Sequence, residues 1–245
     1  MWTVLADEAQ CPECGFWDLS HPDVRRALKG QPVLERYAAC RCPEVAKKQA
    51  GEKAMMVRQA NLPARGRSFA DFQVRDVSSR RALEAAREFA EGGEATTLVL
   101  VGPPGSGKTH LLEAIGRRVL ERGLSARYDV AAEMMDRLRH CYTHREDLED
   151  VFELMRWYQA KGVLLLDDVG LEKATDWVVE RLTVLIDERQ RMRWRTAIAT
   201  NLSRDELAEA LGDRLASRLF GRDDVARVTL TCSDYRRGHE GFNQI

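Results

Sequence analysis

The sequence contains no apolar run near the roughly 20 residues that a membrane-spanning helix needs, and its first ten residues include acidic but no basic side chains. These absences argue against a membrane anchor and a secretory leader, and we expect a cytoplasmic protein. An excess of one charge is also missing, since 38 Lys and Arg residues face 39 Asp and Glu for a net charge of −1. Any contact with nucleic acid or anionic lipid therefore has to come from a local basic surface.

The composition does not match that of a disordered chain either, because 44% of the residues are hydrophobic and 31% are charged. These proportions are typical of a globular protein. A length of 245 residues is enough for one well-filled α/β domain and a small additional module. We predict a small module with its connector over 1–60 and the main domain over 61–245.

Cysteine is scarce in the main domain and concentrated before it. Cys11 and Cys14 form a C-x-x-C pair, and Cys40 and Cys42 form a C-x-C pair 25 residues further on. In a reducing compartment such clusters indicate a metal site before a disulfide framework. Four thiolates would close a tetrahedral zinc shell and supply much of the folding energy of so small a module. His21 lies between the pairs, so a shell of three cysteines and one histidine remains open, as do incidental free cysteines.

The main domain alternates short apolar runs with amphipathic segments. Continuous apolar runs indicate buried strands, and strands that alternate with helices predict a parallel sheet with right-handed crossovers. The predicted strands are Thr96–Val101, Ala126–Val130, Val163–Leu166 and Thr196–Thr200. The predicted helices are Ser78–Glu91, Lys108–Arg122, Ala131–Tyr142, Leu148–Ala160, Thr175–Arg193 and one or two within Arg204–Phe220.

A glycine-rich segment joins the first predicted strand to an amphipathic helix and fits the P-loop pattern at each defined position. Its residues are Gly102, Pro103, Pro104, Gly105, Ser106, Gly107, Lys108 and Thr109, followed by His110. Glycines let the loop curl so that its N–H groups point inward, and the helix N-terminus adds partial positive charge. Lys108 can reach the β- and γ-phosphates, and the Thr109 hydroxyl can ligate magnesium. The segment therefore predicts binding of ATP with Mg²⁺.

Polar residues follow two further predicted strands. Asp167 would hold the magnesium, and Asp168 would polarise the attacking water as general base. Asn201 would sense the γ-phosphate, and its neighbour Thr200 could replace it in that role. The alternatives are a polar strand end facing solvent for the aspartates and a helix cap or turn for the asparagine.

Two arginines, Arg214 and Arg218, lie four residues apart on one face of a predicted helix. One of them could enter a neighbouring subunit's nucleotide site and stabilise charge on the transferring phosphate, so that hydrolysis requires self-association. A solvated helix face with nearby aspartates explains the pair as well. The spacing does not decide which arginine acts.

Aromatic residues near basic ones have two interpretations each. Tyr142 lies in the basic stretch Arg137 to Arg145 and could stack on a base of single-stranded DNA, or the stretch could be a solvated helix face. Phe69 and Phe72 precede the main alternating pattern. They could wall an adenine or only contribute to the core.

Five segments together resemble one group of proteins: GPPGSGKTHLLEAIG, LLLDDVG, ATDWVVERL, IATNLS and GDRLASRLFG. The chain resembles the bacterial helicase-loader ATPases of the DnaC/DnaI type within the AAA+ class, to which the IstB-type transposition helpers are close relatives. The resemblance extends over Asn61 to Arg237, and the cysteine pairs with the Asn-Leu-Pro stretch carry it nearly to the full length.

The resemblance implies an AAA+ P-loop fold, binding of the replicative hexameric helicase through the N-terminal module, and assembly of ATPase domains around single-stranded DNA. It assigns the P-loop to Lys108 and Thr109, the second motif to Asp167 and Asp168, the sensor to Asn201, and the finger to Arg214 or Arg218. Asp168 departs from the glutamate common in AAA+ proteins. A transposition helper acting on duplex DNA and an ATP-gated binding protein with negligible hydrolysis therefore remain as alternatives.

Overall fold

The computed structural model describes residues 51, 53–143, 148–170 and 175–232. The predicted zinc ligands, His21 among them, lie outside the described residues, and so do residues 144 and 145 of the predicted basic stretch. The chain divides into the units 1–56 and 57–245, and the sheet and its helices belong to the second. Within the described ranges, no helix combines the length and apolar character needed to cross a bilayer.

Five parallel strands form the central sheet of this unit, in the order β2-β3-β4-β1-β5. Their bounds are β1 Thr97–Val101, β2 Ala126–Val130, β3 Val163–Asp167, β4 Arg195–Thr200 and β5 Val225–Thr229. The predicted α/β fold with a central parallel sheet is confirmed. The fifth strand was not predicted, because alternating buried and exposed residues on a sheet edge give a weaker signal than the apolar runs of β1 and β3.

Seven helices with complete bounds connect the strands within the described residues. They are α1 Val77–Glu91, α2 Lys108–Glu121, α3 Ala131–Thr143, α4 Leu148–Gln159, α5 Asp176–Arg191, α6 Arg204–Leu211 and α7 Asp213–Phe220. Residues 53–59 are also helical. The predicted stretch from Arg204 to Phe220 is two helices, because Gly212 between them has a φ of 86°, which glycine adopts at little cost.

The two faces of the sheet bury different sets of helices. Alternate residues of β3 point to opposite sides: Leu164 and Leu166 pack with α3, α4, α5, α6 and α7, whereas Leu165 packs with α1, α2 and the segment 57–62. Such alternation follows from the strand period of two. The result is a three-layer α/β/α unit whose sheet is covered on both faces, as parallel sheets require.

Because all five strands are parallel, their carboxyl ends meet at one edge of the sheet. The P-loop leaves β1 there, the two aspartates end β3, and Asn201 directly follows β4. Ligands of open α/β sheets bind in the crevice beyond these strand ends. The topology therefore places the predicted site residues of three separate segments next to one another.

Candidate nucleotide-binding site

The atoms packed around the P-loop explain why two of its positions need glycine. A Cβ on Gly102 would lie 2.6 Å from the carbonyl oxygen of Leu230, in the segment that follows β5. Gly107 has a φ of 99°, and a Cβ there would lie 2.9 Å from Cε2 of Phe72. Backbone beside Gly102 and an aromatic ring beside Gly107 thus leave no room for a side chain at either position.

Lys108 opens α2 and is buried inside the loop, with 5% of its surface exposed. Its Nζ donates to the carbonyl oxygens of Gly102, at 2.7 Å, and Pro103, at 2.9 Å. Burial lowers the pKa of the Lys108 ammonium below its ordinary value, while the negative charges of Asp168 and Asp167 oppose that shift. A buried cation whose hydrogen-bond partners are neutral carbonyls gains from an approaching anion, because in low dielectric the attraction is strong.

A cavity of about 450 Å³ opens over this loop, a size within the usual range for small-molecule sites. Its walls are formed by Arg67, Phe72, Pro104, Gly105, Gly107, Lys108, Thr109, His110, Asp168 and Asn201. The structure thus brings together eight residues predicted from three separate motifs. Gly102, Pro103, Ser106 and Asp167, which were also predicted, do not line it.

The two aspartates at the end of β3 have different environments. Asp167 is buried, and its Oδ2 accepts a hydrogen bond from the Tyr128 hydroxyl at 2.8 Å. Its Oδ1 accepts one from the backbone N–H of Asp168 at 3.0 Å. Asp168 has a φ of 53°, which is uncommon for a residue with a side chain, and it reaches the cavity wall. One carboxylate is therefore fixed behind the loop and the other faces the cavity.

Thr200 and Asn201 occupy adjacent positions with unlike roles. The buried Thr200 hydroxyl donates to the carbonyl oxygen of Val169 at 2.7 Å and accepts from the backbone N–H of Leu202 at 3.1 Å. Asn201 lines the cavity, and its Oδ1 is buried with no hydrogen-bond partner in the part of the chain that the structure describes. The geometry favours Asn201 over Thr200 as the group available to a ligand, because the threonine hydroxyl is already used on both sides.

A segment before α1 forms one side of the cavity through Phe72, as one of the two sequence interpretations allowed, and through Arg67, which the sequence did not single out. Arg67 donates its backbone N–H to Glu113 at 3.1 Å, and Nε2 of His110 lies 2.8 Å from the carbonyl oxygen of Ser68. His110 also makes an edge-to-face contact with Phe72 at 5.2 Å. Two residues of α2, His110 and Glu113, therefore hold the segment against the P-loop.

The structure separates the two phenylalanines that the sequence left equivalent. Both rings pack against the core cluster on the α1–α2 side, but of the two only Phe72 lines the cavity. Phe69 instead has the guanidinium of Arg87 5.9 Å from its ring centre. Phe72 is the aromatic side chain available to a base. No sequence signal distinguishes the two residues, because both follow polar neighbours in an irregular segment.

The oxygen donors near the loop suit Mg²⁺ better than a metal ion whose ligands all come from protein side chains. Among the residues that the structure describes, no three His, Cys, Asp or Glu side chains cluster as a metal site. Magnesium bound with a nucleotide commonly takes only one or two protein ligands and completes its shell with phosphate oxygens and water. Thr109 on the cavity wall and Asp167 behind it would supply such hard oxygen ligands.

The two arginines predicted as a finger do not reach this cavity in the same chain. Arg214 and Arg218 both project from α7 onto Asp187 of α5, with N–O distances of 2.7 Å and 2.6 Å. Arg214 remains 72% exposed. The pair forms a separate, solvent-facing cluster, so any role of these residues in nucleotide chemistry has to involve another molecule.

Comparison with known proteins relates the chain to an ATP-binding family and to a helicase loader. The family profile described as IstB-like ATP binding protein matches residues 40–230. The replicative helicase loader DnaC of Escherichia coli strain K12 is 25% identical over 154 residues, which are 62% of this chain and 62% of that protein. The chain therefore spans less than two thirds of the length of that curated relative.

Two solved structures give the same picture of the fold. A crystal structure of the DnaC helicase loader aligns with a TM-score of 0.58 at 27% identity, covering 66% of this chain and 96% of the other. A crystal structure of DnaI aligns with a TM-score of 0.58 at 25% identity, covering 67% and 91%. The predicted likeness to P-loop proteins of the DnaC/DnaI type is confirmed, and the fold prediction for the main domain is confirmed with it.

Proposed function

Because the chain belongs to the IstB-like ATP-binding family, we propose that it is an ATPase that helps place the replicative DNA helicase on single-stranded DNA. The observation that carries the proposal is the convergence of Lys108, Asp168 and Asn201 on one cavity of nucleotide size. Its similarity to DnaC, a replicative helicase loader, supports the choice of the helicase as partner.

The phosphates would lie along the P-loop, where inward N–H groups, the start of α2 and the Lys108 ammonium favour negative charge. On binding, Lys108 would exchange its two carbonyl partners for phosphate oxygens. Thr109 and Asp167 would hold Mg²⁺, which neutralises charge on the phosphate oxygens when it is bound.

Hydrolysis would depend on the two polar groups that face the cavity from the strand ends. Asp168 would accept a proton from the attacking water, and Asn201 would orient that water or the γ-phosphate through its amide. The left-handed backbone at Asp168 supports this role, since sparsely populated conformations cluster at functional sites. The shorter aspartate in place of glutamate suits slow turnover.

The base would lie against the segment that α2 holds over the loop. Phe72 offers an aromatic face or edge to a purine, and Arg67 offers a planar cation that can stack or donate. His110, with its Nε2 beside the Ser68 carbonyl oxygen, would keep the segment in place rather than contact phosphate.

Assembly would complete the site between molecules. An arginine of the pair Arg214 and Arg218 would reach a neighbour's nucleotide, as an arginine finger supplied in trans does. The cysteines of the N-terminal module, Cys11, Cys14, Cys40 and Cys42, would bind zinc and shape a surface for the helicase. The basic stretch around Tyr142 would contact single-stranded DNA.

The test uses the full-length chain with the replicative helicase of its host. With Mg²⁺ and ATP, we expect the two to co-elute in gel filtration, and we expect single-stranded DNA to stimulate ATP hydrolysis. Lys108→Ala should abolish both nucleotide binding and stimulation. Lys161→Ala, at the opposite end of β3, serves as the matched control and should retain them.

Two outcomes would redirect the proposal. Stimulation by duplex DNA but not by single strands, with no helicase bound, would identify a transposition helper, which the family description also accommodates. Nucleotide binding and helicase binding without measurable turnover would identify an ATP-gated binding protein.

A further inference from the structure

Tyr128 contacts the acidic motif at the end of β3, although Tyr128 belongs to none of the predicted site motifs. It lies in the middle of the edge strand β2, which pairs with β3 and is separated from the P-loop strand β1 by β3 and β4. Its hydroxyl donates to Oδ2 of Asp167 at 2.8 Å. The two residues are 39 positions apart, so only the pairing of β2 with β3 brings them together.

The backbone of Tyr128 is anchored on the outer edge of the sheet. Its N–H donates to the carbonyl oxygen of Ala60 at 2.8 Å, and its carbonyl oxygen accepts from the Asn61 side chain at 3.0 Å. Asn61 also donates to the buried carboxylate of Asp129 at 3.0 Å. The edge strand is therefore clamped where Tyr128 sits, and its ring packs on the core cluster of the α1–α2 face.

The hydrogen bonds to Asp167 fix the orientation of its carboxylate. An ionised carboxylate offers about four acceptor directions. The Tyr128 hydroxyl takes one on Oδ2 and the Asp168 N–H takes one on Oδ1. Each oxygen thus keeps a free direction, while rotation of the group would break both bonds. Asp167 is 2% exposed, so loss of the Tyr128 hydroxyl would remove one of the two hydrogen bonds that orient its carboxylate.

We propose that Tyr128 is a positioning residue that holds the Asp167 carboxylate in the orientation needed to bind the magnesium of the nucleotide. The inference rests on the proposed nucleotide-binding function and goes beyond it, since Tyr128 itself touches neither nucleotide nor water in the reaction. Hydrogen-bonded partners of metal ligands commonly contribute a factor of about 10 to 100 in metal affinity.

The experiment compares nucleotide affinity with and without metal in the full-length protein. A fluorescent ADP analogue is titrated into wild type, Tyr128→Phe and Tyr158→Phe, once with Mg²⁺ and once with a chelator. Tyr158→Phe is the matched control, because its hydroxyl is also buried and bonded, but to Arg137 on the other face of the sheet. Thermal melting of each variant reports the stability that each hydroxyl contributes.

In wild type, Mg²⁺ should increase nucleotide affinity. In Tyr128→Phe that increase should shrink by about 10-fold or more, while the affinity in chelator stays within about twofold of wild type. Tyr158→Phe should keep the full effect of Mg²⁺ even where its melting temperature falls. A purely structural role of Tyr128 would lower the melting temperature without changing the ratio of the two affinities.

An unchanged ratio in Tyr128→Phe overturns the inference and leaves the proposed function standing. A wild type that binds nucleotide equally well in Mg²⁺ and in chelator also overturns it, because Asp167 then holds no metal worth positioning. Failure of wild type to bind nucleotide under both conditions refutes the proposed function itself.

Discussion

Thr200 and Asn201 provide a direct test of how the site is divided between folding and chemistry. The perturbations are Thr200→Val, which keeps the shape of the side chain, and Asn201→Ala. Thr200→Val removes a buried hydroxyl that serves Val169 and Leu202 at once. Asn201→Ala removes an amide whose Oδ1 has no partner among the described residues. The two changes should therefore affect different measurements.

The magnitudes follow from the number of groups left without a partner. Thr200→Val leaves one buried carbonyl and one partly buried N–H without a partner. At about 1–3 kcal/mol for each unsatisfied group, we expect the free energy of unfolding to fall by about 2–6 kcal/mol. Asn201→Ala leaves no described group without its hydrogen-bond partner, so the free energy of unfolding should fall by no more than about 1 kcal/mol. Its turnover should fall by about 100-fold or more, as when one preorganised polar group is removed from a transition state.

Urea denaturation and steady-state ATP hydrolysis measure the two effects. Thr183→Val is a matched control, because the Thr183 hydroxyl bonds the Val179 carbonyl oxygen within helix α5. The Val179 carbonyl oxygen keeps its backbone hydrogen bond within the helix, so the free energy of unfolding should fall by less than about 1 kcal/mol. If Asn201→Ala destabilises the protein as much as Thr200→Val and leaves turnover intact, the division of roles is refuted.

Three further predictions concern the loop and its cavity. Asp168→Asn should reduce turnover by about 100-fold or more while nucleotide affinity stays within a few-fold, since it removes only the general base; unchanged turnover in a coupled assay would contradict that assignment. Gly107→Ala should weaken nucleotide binding, measured by the same fluorescent titration, because it combines a left-handed φ with a Cβ 2.9 Å from Phe72; an affinity equal to that of wild type would contradict it. Nucleotide affinity should decline with rising pH from below 10.5, because burial lowers the pKa of Lys108 and its ammonium loses its proton earlier than an ordinary lysine; an affinity that stays flat up to pH 10.5 in a stable protein would contradict it.

The sequence was sufficient for those parts of the fold and site that depend on local patterns. Apolar runs identified β1 and β3, and glycines with a lysine and a threonine identified the loop between β1 and α2. The positions of Asp167 and Asn201 followed because parallel strands share one carboxyl edge. These features depend on residue type and spacing, which a single chain displays directly.

Other parts depend on contacts between distant segments and were out of reach. Arg189 is a clear case: it lies near the end of the long helix α5, yet it is fully buried. Its guanidinium donates to the carbonyl oxygens of Tyr158, Gln159, Lys161 and Arg195 and to the Thr196 hydroxyl. Burial lowers the pKa of Arg189, whereas the five hydrogen bonds favour its charged form. No spacing rule distinguishes such an arginine from an exposed one.

We have proposed Arg214 or Arg218 as a finger, and their shared contact with Asp187 would let hydrolysis depend on assembly at small cost. Asp187 accepts a hydrogen bond from Arg214 on Oδ2 and forms an ion pair with Arg218 at Oδ1, so two positive charges share one carboxylate. Releasing one arginine to a neighbour's phosphate leaves Asp187 still paired, and no isolated charge is created at the half-exposed rim. The released arginine meanwhile exchanges a solvent-screened pair, worth about 1 kcal/mol or less, for a phosphate in a confined cavity. A shared carboxylate can thus keep both arginines ordered in the free chain without preventing either from acting in the assembled one.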